Sequence, residues 1–179
     1  MSKSVLIIST SLRRGGNSEA LADEFARGAR EAGNKVEKIE LYGKIIGFCK
    51  GCLACQNTQR CVIHDDANII VQKMLAADAI VFATPIYYYE MCGQMKTLLD
   101  RANPLYTADY AFRDVYLLAT AADKERSAMD GAIKGLKGWI ACFEKAQLAG
   151  TVFGGGADAI GTIHGNPALK KAYEMGKRA

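Results

Sequence analysis

Short apolar runs alternate with segments of helical period from one end of this chain to the other, and that alternation constrains its fold more than any other feature. Val5-Leu6-Ile7-Ile8 reads as a buried strand. Asn17 to Ala32, with Ala20, Leu21, Phe25 and Ala29 at helical spacing, reads as a helix ended by Gly33-Asn34. Strands follow over Lys35–Leu41, Asp78–Thr84, Val115–Ala121 and Ala149–Phe153. Helices are predicted over Ala67–Ala77, Gly93–Arg101 and Ser127–Lys145, and Asn166-Pro167 opens a last one. Five strands separated by helices imply right-handed crossovers, hence an α/β chain with a mainly parallel sheet covered on both faces. The 179 residues show no repeat, linker or charge block, which predicts a single domain over 1–179.

Composition removes several function classes. Half of the residues are apolar and only three are proline, so the chain is not disordered. No apolar stretch approaches the roughly 20 residues of a membrane span, and no membrane partner is expected. Met1-Ser2-Lys3-Ser4 runs into a strand without a signal-peptide pattern, and the six cysteines are expected to be reduced, so the expected location is cytoplasmic. A formal charge of +4, spread along the chain, predicts no nucleic-acid partner.

Five strands favour the sheet order 2-1-3-4-5 over the six-stranded order of dinucleotide-binding sheets. The switch point then lies between the first and third strands, and ligand is expected at Ser9–Ser18 and Thr84–Tyr89. The loop after the second strand opens at the same edge of the sheet, and it holds the four cysteines.

Ser9-Thr10-Ser11-Leu12-Arg13-Arg14-Gly15-Gly16-Asn17-Ser18 has neither the three spaced glycines of a dinucleotide loop nor the Lys-Ser/Thr of a Walker A sequence. It does place hydroxyls, an amide, a cation and backbone N–H groups at a helix N-terminus, where a phosphate is held well. Helix capping by Asn17 or Ser18 would not need Ser9, Thr10 and Ser11 as well. Thr84-Pro85-Ile86-Tyr87-Tyr88-Tyr89 puts three tyrosines after the most buried strand. They suit a wall for a planar ring such as isoalloxazine, a subunit contact, or both.

Ser9-x-Ser11-x-Arg13-x3-Asn17-Ser18, with Pro85-Ile86-Tyr87 and then Gly93-x2-Lys96-x3-Asp100-Arg101, resembles the NAD(P)H-dependent FMN reductase branch of the flavodoxin-like superfamily over nearly the whole chain. The resemblance implies a flavodoxin-like three-layer fold. It implies that the loop starting at Ser9 holds the FMN phosphate through Ser11, Arg13, Asn17 and Ser18. The second loop would hold the flavin ring with Pro85, Ile86, Tyr87 and Tyr88, and Tyr88 and Tyr89 would shape what stacks on it. Ala121, Ala122 and Asp123 would close over the ring. The chain departs from the family in having Thr10-Ser11-Leu12 where Gly-Ser-Pro is usual, and in a third loop without glycines.

Cys49-Lys50-Gly51-Cys52-Leu53-Ala54-Cys55-x5-Cys61, inside a cysteine-rich loop at 43–66, is the sharpest motif. Three cysteines at three-residue steps can wrap one cubane, with a fourth closing it. Structural zinc more often uses separated pairs, and a redox dithiol needs only one pair. With Val62-Ile63-His64-Asp65-Asp66 after it, the run is similar to the compact motif of the iron-sulfur flavoproteins, which implies a [4Fe-4S] cluster on these four cysteines. The competing reading is a family member that keeps the thiols without a cluster. Asp65 and Asp66 read as caps of the next helix, Lys96 and Asp100 as a surface or interface pair, Cys142 as a packed core thiol and Cys92 as a small filler. His64 and His164 have no ligand-spaced partner.

The function so implied is an FMN-dependent oxidoreductase that passes electrons from NAD(P)H to a small acceptor (flavin, quinone, azo or nitro compound), with no side chain acting as acid or base. The alternative is an iron-sulfur flavoprotein that couples a one-electron donor such as ferredoxin to FMN. A second is a flavodoxin-type carrier, which the positive charge disfavours. The family also implies a homo-oligomer, dimer or tetramer, with Tyr87–Tyr89 and the Gly93–Arg101 helix near the contact.

Overall fold

The computed structural model describes residues 2–179. Five strands, β1 (Ser4–Ser9), β2 (Lys35–Glu40), β3 (Ala79–Tyr87), β5 (Asp114–Thr120) and β6 (Gln147–Gly154), form a parallel sheet in the order β2-β1-β3-β5-β6. This is the expected 2-1-3-4-5 order, with one addition. A two-residue strand, β4 (Glu90–Met91), folds back antiparallel on the end of β3. β1 pairs with β3 only as far as Ala83, whereas β5 accompanies β3 to Pro85. Pro85 therefore lies where one side of β3 has lost its neighbour and its missing donor leaves no gap in that ladder.

The sheet is buried on both faces because its central strands are apolar along most of their length. Leu6, Ile8, Ile80, Phe82 and Leu117 face α3 (Asp66–Ala76), α4 (Gly93–Arg101) and α5 (Asp130–Ile140). Val5, Ile7, Val81, Ala83 and Leu118 face α1 (Asn17–Glu31) and α6 (Pro167–Lys177). Two glycines let α1 and α6 touch backbone to backbone. A Cβ on Gly28 would stand 2.1 Å from the Tyr173 carbonyl oxygen, and one on Gly176 at 2.1 Å from that of Phe25. No helix among the described residues is long and apolar enough to cross a membrane.

One predicted element is shorter than expected. Ser127–Lys145 divides into a 3₁₀ turn over Arg126–Met129 and α5, which stops at Ile140. Turns then carry the chain round so that Phe143 packs among Trp139, Tyr110 and Phe112, with ring centroids 4.6 to 5.2 Å away. Burial of that ring outweighs the continued helix that the local periodicity favours. The cysteine-rich loop contains one short helix, α2 (Ala54–Thr58).

Candidate functional site

β1 ends at Ser9, and its carbonyl accepts from the Leu41 N–H. Thr10 donates its N–H and its hydroxyl to the Ala83 carbonyl, at 2.8 and 3.0 Å, which pins the start of the loop to β3. Threonine thus stabilises a position where the family usually has glycine. The loop then folds on itself: Arg13 donates its N–H to Ser11 Oγ, and the Gly16 N–H to the Arg13 carbonyl. A Cβ on Gly16 would lie 3.0 Å from that carbonyl oxygen and 3.2 Å from Ser11 Oγ, so only glycine leaves the cradle undistorted. α1 begins at Asn17 with no side-chain cap, leaving its first backbone donors facing the loop.

Asn17 has a second task. Its Nδ2 donates to the Ala159 carbonyl, and its Oδ1 accepts from the N–H groups of Gly161 and Ile163. Arg13 Nη1 likewise donates to the Asp158 carbonyl at 2.9 Å. These two residues hold the segment after β6 against the loop, and Ala157, Asp158 and Ile160 become part of the wall. The sequence reading missed that third wall because its residues carry no motif.

Tyr87, Tyr88 and Tyr89 form the turn between β3 and β4. Tyr88 and Tyr89 are both left-handed, with φ of 51° and 65°. That conformation costs an L-residue about 1–2 kcal/mol and is ordinarily filled by Asn-Gly. α5 presses on this turn: a Cβ on Gly131 would be 2.4 Å from the Tyr89 carbonyl oxygen. Tyr89 reaches Asp123 through its hydroxyl at 3.4 Å, and Tyr88 is 99% exposed at the tip.

Ser11, Arg13, Asn17, Ser18, Ile86, Tyr87, Ala121 and Ala122 thereby line one cavity of about 170 Å³ at the carboxyl ends of the strands. Ser9 and Pro85 stand behind it in the strands, and Tyr88, Tyr89 and Asp123 lie outside its lining. One end offers hydroxyls, a cation and helix N–H groups; the other offers Ile86, a tyrosine ring and two alanines. Those ends match a phosphate and a flavin ring. Buried Cys92 sits beneath, its Sγ 3.2 Å from Thr10 Oγ1 and 3.4 Å from Thr84 Oγ1, so it links both loops rather than merely filling space.

The loop leaves β2 at the carboxyl edge of the sheet, as expected, and then runs along α4, with Lys44, Ile46 and Phe48 beside Gly93, Gln94 and Thr97. Cys49, Cys52, Cys55 and Cys61 line a second cavity, of about 470 Å³, with Asn103, Trp139 and Phe143 at the far ends of α4 and α5. No residue lines both cavities. All four thiols are free. Asn103 Nδ2 donates to Cys55 Sγ at 3.1 Å, and the Gly51 N–H to Cys49 Sγ at 3.4 Å. Among the described residues no three potential ligands gather tightly enough for a single metal ion. A cubane asks for less, because each thiolate binds a different iron, and four free thiols around one cavity with donors aimed at their sulfurs suit that geometry.

Cys142, expected in the core, is exposed and faces this second cavity, because α5 ends before it. The residue most clearly missed is Arg101. Its side chain is wholly buried and grips Asp65 bidentately, at 2.6 and 2.9 Å. Burial alone would push the Asp65 carboxyl up, but the Arg101 fork and the N–H groups of Gly47 and Ala67 hold it below the usual range. For Arg101 burial acts downward, and Asp65, then Cys61, overcome it, so its proton is held more tightly than usual. Asp65 also caps α3, as expected, and Lys96–Asp100 is an exposed helical pair.

Residues 4–159 match the NADPH-dependent FMN reductase family. An iron-sulfur flavoprotein of Methanosarcina thermophila is 30% identical over 169 residues, 94% of this chain and 85% of that protein. Another, of Methanocaldococcus jannaschii, is 38% identical over 101 residues, 56% of this chain and about half (52%) of the relative. Among solved structures, the NAD(P)H:quinone oxidoreductase from Methanothermobacter marburgensis superposes with a TM-score of 0.78 over 99% of this chain and 96% of its own, at 18% identity. That is a likeness of fold.

Proposed function

The chain belongs to the NADPH-dependent FMN reductase family, and from that premise we propose that it is an FMN-dependent oxidoreductase taking electrons from NAD(P)H and passing them to a small acceptor such as a flavin, quinone, azo or nitro compound. The observation that carries this reading is the cavity itself, polar and cationic at the α1 end and apolar at the β3 end. Ser11, Ser18, Arg13 and the first N–H groups of α1 would hold the phosphate. Ile86 and Tyr87, opposite Ala121 and Ala122, would flank the ring. Bound FMN supplies the hydride and electron chemistry. This chain's residues would orient it in the cavity between the tyrosine turn and the loop at Ala121–Ala122. No side chain in the cavity is needed as acid or base. The exposed tip at Tyr88 supports an assembly in which it meets a second copy.

The test is anaerobic mixing of the FMN-loaded chain with NADH or NADPH, followed by addition of a quinone. Loss of the visible flavin absorption and its recovery on adding the quinone is the expected result. A chain that binds FMN but is reduced by neither nucleotide would overturn the nicotinamide step.

A second reading has its own support in the four free thiols of the second cavity. Cys49, Cys52, Cys55 and Cys61 would hold a [4Fe-4S] cluster, which exchanges single electrons with a donor such as ferredoxin when bound. Reduction of the FMN-loaded chain by reduced ferredoxin, but by neither nucleotide, would place this reading first.

A further inference from the structure

Every cysteine of the loop lies within residues 48–62, and the two strands of chain that enter and leave this stretch are fastened to one another. The Ile45 N–H donates to Asp66 Oδ2 and the Asp66 N–H to the Ile45 carbonyl, at 2.7 and 3.1 Å. One step further in, the Gly47 N–H donates to Asp65 Oδ2 at 2.8 Å. Arg101 spans this neck from α4: Nη1 donates to the Gly47 carbonyl at 2.8 Å and Nη2 to the Ile63 carbonyl at 3.1 Å, while both grip Asp65. A buried guanidinium is costly unless all its donors are used. Here Nε is buried and has no partner, the only such side-chain atom among the described residues.

We infer that Arg101, held by Asp65, is the positioning residue of the cysteine cavity: it closes the neck of the 48–62 loop and so fixes where Cys49, Cys52, Cys55 and Cys61 stand. A cation fixed at that place serves two ends. It sets where the loop stands against α4 and α5 before any metal arrives, and it neutralises the Asp65 carboxylate, which would otherwise add to the negative charge that four thiolates gather. Lysine cannot replace it fully, because an ammonium keeps the charge but cannot fork onto Asp65 while bonding two carbonyls.

The inference rests on the cluster reading for its second half only, and the test separates the two. Full-length chain is purified without oxygen as wild type, Arg101→Gln, Arg101→Lys and Asp65→Asn. Iron and acid-labile sulfide, the midpoint potential of the iron-sulfur signal, and tryptic cleavage of the metal-free chain at exposed Lys50 and Arg60 are measured, with FMN content as the control for folding. Arg101→Gln is expected to weaken iron binding on the order of 10-fold or more, to speed cleavage of the loop, and to lower the potential of whatever cluster remains. Arg101→Lys should return the potential towards wild type while the loop still cleaves fast. Wild-type iron content, potential and cleavage in Arg101→Gln would overturn the proposal. If Arg101→Gln retains no FMN, Asp65→Asn decides by iron content and cleavage, because it loosens the neck while leaving the cation in place. If the wild type holds no iron, the cluster reading fails, and cleavage alone decides the clamp: faster cleavage supports it, unchanged cleavage overturns it.

Discussion

The two cavities of this chain are built in opposite ways. The flavin-facing one is made by strand ends. β1, β3 and β5 stop at one edge of the sheet, and the three loops leaving them cannot avoid each other. The cysteine cavity is made by a single loop laid against the ends of α4 and α5, and its neck depends on one buried ion pair and the few hydrogen bonds around it. Where topology builds a site, many contacts share its upkeep and single changes trim affinity. Where one pair builds it, one change can remove it.

The largest expected effect tests whether the cavities are independent. Cys52→Ser combined with Cys55→Ser should abolish iron binding, read by iron and sulfide analysis, and leave FMN content at the wild-type level. Loss of FMN as well would break the separation drawn between the two sites. Arg13→Ala with Ser18→Ala should weaken FMN binding about 10- to 100-fold, as loss of a charge-assisted bond and a hydroxyl contact implies, with iron unchanged; fluorescence titration reads it.

A smaller effect is expected at the turn. Tyr88→Gly removes a left-handed side chain and should stabilise the fold by about 1 kcal/mol, a rise in Tm of about 2–4 °C. A fall in Tm would mean that the Tyr88 ring makes contacts outweighing its strain. The smallest concerns acid. The Asp65 carboxyl is held below its ordinary value of 3.8 in the folded chain. Its contribution is therefore present in full above about pH 4 and lost as pH falls through the folded value. Pepsin should cut the 48–62 loop faster as pH drops below 4, ahead of any loss of the α1–α6 core, and Asp65→Asn should remove that dependence.

Much of the first cavity was legible in sequence, because apolar runs locate strands, strand count limits the order, and the loops leaving the first and third strands supply much of its lining. The wall from Ala157 to Ile160 was not, since it is drawn in by the side chains of Arg13 and Asn17, the latter 142 residues from Ala159. The position of the cysteine loop was hidden for a similar reason: Asp65 and Arg101 stand 36 residues apart. A signal was present all the same. Arg101 continues the buried stripe of Met95 and Leu98 on α4, and a charge on such a stripe calls for a buried partner. Cys142 was misplaced because periodicity cannot report that Phe143 turns the chain inward.

The most direct test of the account is the composition and visible spectrum of wild-type chain purified without oxygen. The account predicts about one FMN per chain, with about four iron and four sulfide beside it and a broad cluster absorption beneath the flavin bands. A chain that holds no flavin, even after FMN is added, would contradict it.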